Sequence, residues 1–431
     1  MFKKALLGGV ALAAISTTSA FAGYDVNSRV DALENELREL KAQMQMRDQK
    51  MDELETATAG LADLPKFSGK KLQITSADGK YSIRFGGRIM IDASAGDEDL
   101  DMQHGLEFRR VRMFVSGKIA GDWKYKVQLD FDGDSAGSTD FKDIYIAYTG
   151  IKGVELKAGH FKAPQGLEEL TSSKYITFME RTAMSGMLPS RNIGLQGKYD
   201  DKKNSFGVAL GYFSADDLVE GNGGGSQSTE GFTGRAYWAP INEKGKVLHL
   251  GVGGSARHTQ DNDIEVKWAA LHNAGSLIDV TLDADDFEGF TSVTPEIGFV
   301  WGPFSAQAEY SVFNWEGESG IDDVDYSAGY VLASYFVTGE SRPYSKGSFK
   351  RVKSKGAVEL AARYEFADVS DDYFGNDGAD MTAWTFGVNY YFNPAVRLMA
   401  NVVLADVEYN DGTSTTDADG TAFGTRLQID F

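Results

Sequence analysis

The last eleven residues, 421–431, read TAFGTRLQIDF and alternate between apolar and polar side chains. An alternation with a period of two is typical of a β-strand that has one apolar and one polar face. The apolar face is formed by Phe423, Leu427, Ile429 and Phe431. A soluble protein rarely exposes such a strand to water, so we expect this segment to close a β-barrel against lipid.

The same alternation recurs upstream in segments of about 9–15 residues, the length of a tilted strand that crosses a bilayer. Clear examples are YSIRFGGRIMIDA (81–93) and WKYKVQLDFDG (123–133). About sixteen such segments can be counted, an even number, as bacterial outer-membrane barrels require. Soluble sandwiches and propellers also alternate, but their strands are usually about 5–6 residues long. The pattern therefore predicts an all-β fold, a 16-stranded antiparallel transmembrane β-barrel over residues 70–431.

The connections between these segments alternate in length. Short ones such as AGD, TGIKG and WGP are followed by longer acidic ones such as SAGDEDLDMQ and NDGTSTTDADG. This alternation is typical of outer-membrane barrels, whose periplasmic turns are short and whose outer loops are long.

The composition excludes several other classes of protein. The chain has 431 residues, a formal net charge of −20 and no cysteine. The lack of cysteine excludes disulfides and thiolate metal sites, and the acidic charge argues against nucleic-acid binding. The five histidines are accompanied by neither a GxSxG nor an HExxH motif. The sequence therefore predicts a protein that is not an enzyme and has no cofactor or metal site.

The first 22 residues have the features of a secretory signal peptide. Two lysines near the start precede an apolar stretch from Ala5 to Ile15, and Ala20-Phe21-Ala22 provides a small-x-small ending. The apolar stretch is shorter than the roughly 18–20 residues that a membrane-spanning helix needs. We therefore expect residues 1–22 to be removed on export rather than to anchor the protein.

A heptad pattern follows the signal peptide and predicts a periplasmic coiled coil over residues 23–58. The narrow apolar stripe favours self-association, whereas a single helix lying on the barrel domain is the alternative. Residues 59–69, which include Pro65, are predicted to form a linker. The seam of the heptads is interrupted by Arg47 and contains Val30, Leu33, Leu37, Leu40, Met44, Met51 and Leu54.

If the apolar residues of the strands face lipid, the residues between them face the lumen. These inward positions are rich in arginine and lysine, which is typical of pores for anions and phosphate. The alternative is that the cations pair with lumen carboxylates, as in a weakly selective porin. The predicted inward cations are Arg84, Arg88, Arg110, Arg112, Lys118, Lys124, Lys126, Lys157, Arg235, Arg257, Arg363, Arg397 and Arg426.

Two connections are unusual. The loop between the fifth and sixth predicted strands, residues 162–190, is long and mixes apolar with charged residues. Loops of this length in compact domains are usually functional. We expect it to fold into the lumen as a constriction, with Lys162, Lys174 and Arg181 facing solute; a cap on the outside is the alternative.

The second unusual connection is the basic stretch TGESRPYSKGSFKRVKSKG, residues 338–356, which includes Lys346, Lys350 and Arg351. The strand count places it on the periplasmic side, where turns are normally short. It therefore indicates either an error of one strand in the count or a segment that folds into the pore.

Three stretches resemble the phosphate-selective porin O and P family. They are RRVRMFVSGKIAGDWKYKVQLDF (109–131), VELKAGHFKAPQGLEELTSSKYITFMERT (154–182) and TGESRPYSKGSFKRVKSKGAVELAARYEF (338–366). The resemblance runs from about residue 70 to Phe431 and implies a trimeric, sixteen-stranded outer-membrane porin. It implies a constriction role for Lys162, Lys174 and Arg181, a basic periplasmic segment with Lys346, Lys350 and Arg351, and an inner ladder with Arg84, Arg88, Arg110 and Arg112.

These observations predict a passive diffusion channel for small anions in the outer membrane of a Gram-negative cell, which the chain crosses many times. The family resemblance points to phosphate or polyphosphate as the solute. Expected partners are outer-membrane lipid, two further copies of the chain and small anions such as phosphate, but not nucleic acid. Alternatives are a general, weakly selective porin, or a barrel that tethers the outer membrane through a contact of the coiled coil with peptidoglycan or another periplasmic partner.

Overall fold

The computed structural model describes residues 26–62, 65–68, 72–97, 104–131, 139–214, 229–260, 263–272, 276–410 and 415–431. The chain divides into two compact units, Met1–Leu64 and Pro65–Phe431. The predicted signal peptide, residues 1–22, lies outside the described residues.

The first unit contains one long helix, α1 (Val26–Ala62). Its sequence has no proline, has no glycine before Gly60, and is rich in Ala, Leu and Glu, which favour helices. The helix continues through residues 59–62, which the sequence assigned to the linker. The apolar seam residues are all exposed in the single chain, so their self-association stays a prediction. Among the described residues, no helix is both long and apolar enough to cross a membrane.

The second unit is a closed antiparallel β-barrel of sixteen strands, which confirms the predicted fold class. Each strand pairs with the next one in the chain, and β16 pairs with β1 through Arg426 and Asp92. The strands are β1 (Ser82–Gly96), β2 (Gly105–Ile119), β3 (Trp123–Asp130), β4 (Asp140–Tyr148), β5 (Val154–Lys162), β6 (Arg191–Asp201), β7 (Phe206–Phe213), β8 (Thr229–Glu243), β9 (Lys246–Thr259), β10 (Phe287–Trp301), β11 (Phe304–Gly317), β12 (Val324–Phe336), β13 (Ala357–Val369), β14 (Ala379–Tyr391), β15 (Val396–Asn410) and β16 (Thr415–Asp430).

The side chains of each strand alternate between the outside and the lumen, as the pleat of a strand requires. Phe85 and Trp384 are 46 % and 47 % exposed on the outside, whereas Arg88 and Arg426 are buried inside. The predicted orientation, with apolar residues outward and arginines inward, is therefore confirmed for these strands. Closure of the barrel gives every strand edge a hydrogen-bonded neighbour, which a lipid environment demands.

At one end the strands are joined by tight turns. β10 and β11 are connected by Gly302-Pro303 alone. Gly302 has a φ of +59°, a left-handed conformation that glycine adopts without strain. We call this the turn end of the barrel and the opposite one, where the connections are longer, the loop end.

The predicted orientation of apolar residues is wrong at the loop end of β10–β16. There Phe313, Trp315 and Val407 face inward and are buried, whereas Glu316 and Glu408 face outward and are exposed. This inversion indicates that the wall extends beyond the lipid at this end, because carboxylates on the outer face need water.

An additional hairpin, Ile264–Trp268 paired with Ile278–Leu282, lies in the connection between β9 and β10. Its strands were not predicted because they are much shorter than a membrane crossing. Val266 and Val280 of this hairpin belong to one hydrophobic core with Met184 of the 162–190 loop and with inward residues of β10–β16. The loop end is therefore filled by a hydrophobic core along that part of the wall.

Candidate functional site

The loop predicted over residues 162–190 lies inside the barrel. Because Lys162 is the last residue of β5, we call the connection between β5 and β6 the 163–190 loop. Gln165 donates hydrogen bonds of 2.9 Å to the hydroxyl groups of Ser292 and Thr294 in β10. The backbone N–H of Met179 donates to the side-chain oxygen of Asn401 in β15, at 2.8 Å. Since β10 and β15 are distant from β5 around the barrel, the loop crosses the lumen. It includes two short helices, Leu167–Leu170 and Ala183–Met187.

Inward carboxylates of the wall hold this loop by its backbone. Glu309 accepts hydrogen bonds from the N–H groups of Leu167 and Glu168, at 2.5 and 2.8 Å. Glu365 accepts one from the N–H of Ala183, at 2.9 Å. The first N–H groups of a helix lack partners within it, so a carboxylate both satisfies them and complements the helix dipole. These carboxylates are thereby engaged by the loop and do not line the pore.

A cavity of about 460 Å³ lies between the loop and the wall formed by β1–β8. Its charged lining is dominated by cations: among the described residues, nine cationic side chains face three carboxylates. The cations are Arg88, Arg112, Lys126, Lys157, Lys162, Arg181, Arg191, Lys198 and Arg235. The carboxylates are Asp143, Glu155 and Glu169.

Each of the three carboxylates is shared by two cations. Asp143 accepts hydrogen bonds from Lys126 Nζ at 2.6 Å and from Arg191 Nε at 2.8 Å. The same holds for Glu155, which contacts Lys124 at 3.1 Å and Lys157 at 3.6 Å, and for Glu169, which contacts Lys162 and, at 3.3 Å, Arg181. Three further lining cations, Arg112, Lys198 and Arg235, pair with carboxylates outside the lining, namely Asp130, Asp200 and Glu296. Among the described residues, the nine lining cations therefore contact six carboxylates, which leaves an excess of positive charge at the cavity wall.

The structure places five of the twelve residues predicted for the site at this cavity, namely Arg88, Arg112, Lys126, Lys162 and Arg181. Lys124 adjoins it through Glu155. The other six lie elsewhere, and contact with solute stays a prediction for all twelve. Arg84 lies over the ring of Phe114, Arg110 contacts Glu180, Lys346 is 3.7 Å from Asp200, Arg351 is 2.7 Å from Asp430, and Lys174 and Lys350 flank Tyr175.

Lys198 and Arg191 of β6 line the cavity but were not among the predicted residues. Lys198 shares the inward face with Gln196, so the alternation contained a signal for it. Strict alternation would place Arg191 on the same outward face as Leu195, yet its side chain reaches Asp143. As the first residue of its strand it is not bound to the alternation, and the sequence contained no signal for it.

A β-bulge in β2 directs two consecutive arginines inward. Met90 pairs with Arg110 and Ile91 pairs with Phe108, so Arg109 is an extra residue in the register. Strict alternation would place Phe108 and Arg110 on one face, but Phe108 is exposed outside and Arg110 is buried inside. The bulge also brings Arg109 to Glu180, at 2.9 Å. No sequence pattern indicated this role of Arg109.

The basic connection between β12 and β13 also folds into the lumen. The carbonyl of Gly347 accepts a hydrogen bond of 2.8 Å from Arg235, a cavity residue. Phe349 packs with Leu167 of the 163–190 loop and with Val247 of the wall. The strand count was therefore right. Of the two alternatives, the second holds, because the segment folds into the lumen.

Lys174 of the loop and Lys350 of the basic segment approach the same aromatic ring. Their Nζ atoms lie 5.6 and 6.0 Å from the ring centroid of Tyr175. Burial lowers the pKa of each ammonium group to about 8. The attraction of Asp430 opposes this effect at Lys174, whereas repulsion from neighbouring cations adds to it at both lysines. Each lysine therefore loses part of its charge just above neutral pH.

Comparisons with known proteins agree with this geometry. The family described as phosphate-selective porin O and P matches residues 83–431. Porin O of Pseudomonas aeruginosa is 30% identical over 418 residues, which cover 87% of this chain and 94% of that protein. The trimer form of OmpT, an outer-membrane protein of Vibrio cholerae, shares the fold with a TM-score of 0.54 and 14% identity, over 81% of this chain and 99% of that one. An anion-selective porin from Comamonas acidovorans also shares the fold, with a TM-score of 0.53 and 13% identity, over 81% of this chain and 100% of that one.

Proposed function

Because the chain belongs to the phosphate-selective porin O and P family, and is thus an outer-membrane porin, we propose that its pore conducts small anions, with phosphate or polyphosphate as the preferred solute. The observation that carries this proposal is the charge of the cavity, whose nine lining cations contact six carboxylates among the described residues. Such a wall attracts anions and repels cations.

The hydrogen-bond pattern supports the proposal in a second way. The wall carboxylates that could neutralise the pore, such as Glu309 and Glu365, are bonded to the backbone of the loop. The cations of β1–β8, in contrast, line the cavity. Guanidinium and ammonium groups can replace the water that a phosphate loses on entering a narrow pore.

We also propose that the protein is a homotrimer. The supporting observations are the trimer form of the Vibrio cholerae protein that shares the fold and the apolar seam of α1, which is exposed in the single chain. An exposed seam of this kind is usually buried against the helices of other copies.

The proposal is tested by the reversal potential of the purified protein in planar bilayers under a KCl gradient. Anion conduction predicts a potential near that of chloride, and a phosphate-preferring pore also predicts that added phosphate reduces the chloride current. A potential close to zero would instead favour the general, weakly selective porin. A cation-selective potential would refute the anion pore.

A further inference from the structure

Three arginines outside the cavity surround the carboxylate of Glu180, which belongs to the 163–190 loop. Arg109 donates to both carboxylate oxygens, at 2.9 and 3.0 Å. Arg426 donates at 2.5 Å and Arg110 at 3.4 Å. Two guanidinium groups and part of a third thus hold one carboxylate, an arrangement that resembles the recognition of a bound anion.

Arg110 has more N–H donors than the hydrogen bonds it makes with Glu180. Arg110 is only 5 % exposed, and among the described residues its Nε has no hydrogen-bond partner. Its Nη1 contacts just the thioether sulfur of Met90, at 3.7 Å, which is a weak acceptor. A buried guanidinium with unused donors is unfavourable unless another acceptor can bind there. An oxyanion with more than two oxygens would use these donors better than a carboxylate does.

The cluster is partly exposed, and one further carboxylate, that of Glu107, interacts electrostatically with Arg109 and Glu180. The side chains of Arg109 and Glu180 are 18% and 17% exposed, so neither is fully enclosed by protein. Arg426 is also bonded to Asp92, at 2.6 and 2.7 Å. The three arginines therefore interact with Glu180, Asp92 and Glu107, and loss of the charge of Glu180 would leave an excess of positive charge.

We propose that Glu180 is an intramolecular competitor that occupies an oxyanion site formed by Arg109, Arg110 and Arg426. A tetrahedral oxyanion such as inorganic phosphate binds there when the Glu180 side chain moves away. Glu180 thus prevents tight binding at this site and so determines how strongly the pore retains phosphate. This inference rests on the proposed anion pore and adds a residue that determines its specificity.

The test is the half-blocking concentration of inorganic phosphate for the chloride current through single channels of the full-length protein. Glu180→Gln keeps the size of the side chain but removes its charge. We expect this variant to be blocked by phosphate at a concentration about fivefold or more below that of the wild type. Adding Arg110→Gln to Glu180→Gln should return the concentration toward the wild-type value.

Further variants separate this role from general charge effects and from misfolding. Glu316→Gln removes a carboxylate on the outer face and should leave the phosphate block unchanged. Glu180→Asp keeps the charge but shortens the side chain, so it should lower the half-blocking concentration of phosphate by a smaller factor. This variant still tests the role of Glu180 if Glu180→Gln does not fold.

The outcomes distinguish this inference from the proposed function. A cation-selective wild type would refute the anion pore itself. An anion-selective wild type with an unchanged phosphate block in Glu180→Gln would refute only the role of Glu180. A tighter block that Arg110→Gln does not reverse would also refute it, because the anion would then bind away from the arginines.

Discussion

Asp143 shows, at the scale of single residues, how the pore keeps its positive charge. Its carboxylate bridges Lys126 and Arg191, so one acid holds two cations in place. An isolated cluster of cations would repel itself, and a shared carboxylate reduces this repulsion without cancelling the excess charge. Removal of one cation from such a group should therefore change the selectivity of the pore more than its fold.

Lys126→Gln should weaken the preference for anions, because it reduces the positive excess at the cavity while Arg191 still holds Asp143. The measurement is the reversal potential in a KCl gradient, which should shift toward zero. The matched control is Lys246→Gln, since Lys246 lies on the outer face against the ring of Trp301. Equal shifts in the two variants would contradict the assignment of Lys126 to the pore.

The preference for anions should also fall as the pH rises from 7 to 9. The pKa values of Lys174 and Lys350 are lowered to about 8, and a lysine is charged below its pKa and neutral above it. Chloride is the suitable anion for this measurement, because phosphate itself changes its charge near neutral pH.

The variant Lys174→Arg with Lys350→Arg provides the control for this pH dependence. A guanidinium stays protonated over the whole range, so the selectivity of this variant should be constant from pH 7 to 9. If the anion selectivity of this variant declines with pH as in the wild type, groups other than Lys174 and Lys350 cause the pH dependence.

At the scale of elements, the 163–190 loop is positioned by bonds that reach across the barrel. Glu309 of β11 and Glu365 of β13 each hold the first N–H groups of one short helix. These bonds fix the loop opposite β1–β8, where the cavity forms. The width of the pore therefore depends on residues that do not touch the solute.

Glu309→Gln should loosen the loop. A glutamine side chain has one acceptor oxygen, so one of the two helix N–H groups loses its partner, at a cost of about 1–3 kcal/mol. The expected result is a single-channel current with more open-state noise and a larger mean conductance. Glu316→Gln, on the outer face of the same strand, is the control, and equal noise in both variants would show that other contacts hold the loop.

At the scale of the whole molecule, the barrel is asymmetric. The wall of β1–β8 borders a polar cavity, whereas the loop end of β10–β16 is filled by a hydrophobic core that includes the extra hairpin. We infer that ions pass along one side of the barrel rather than through its centre. In the proposed anion pore, the excess of cations on that one wall would provide the selectivity, although the whole chain is acidic.

Assembly is the other property of the whole molecule. Replacing Leu33, Leu37 and Leu40 of α1 with serine should lower the temperature at which oligomers dissociate, because these seam residues would no longer bury apolar surface between copies. Dissociation is followed by electrophoresis of heated samples without full denaturation. Replacing Glu36 and Glu39, which lie off the seam, with glutamine is the control. An unchanged dissociation temperature in the seam variant would show that α1 does not associate.

The sequence by itself determined the barrel, its sixteen strands, their antiparallel order and the inward direction of most arginines. These features follow from a period of two, from strand length and from the requirement that lipid meets apolar side chains, all of which are local properties of the chain. The same local rules failed at the loop end of β10–β16, where the wall no longer meets lipid.

The tertiary structure alone decided which cations share the cavity and which are bonded elsewhere. Arg191 reaches Asp143 against its parity, a bulge turns Arg109 inward, and Glu180 meets Arg426, which is 246 residues away in the chain. The physical reason differs between these contacts. Arg191 and Arg109 depart from the alternation at a strand start and at a bulge. Glu180 meets Arg426 because bonds to distant strands fix the 163–190 loop within the closed barrel, and no local pattern records such bonds.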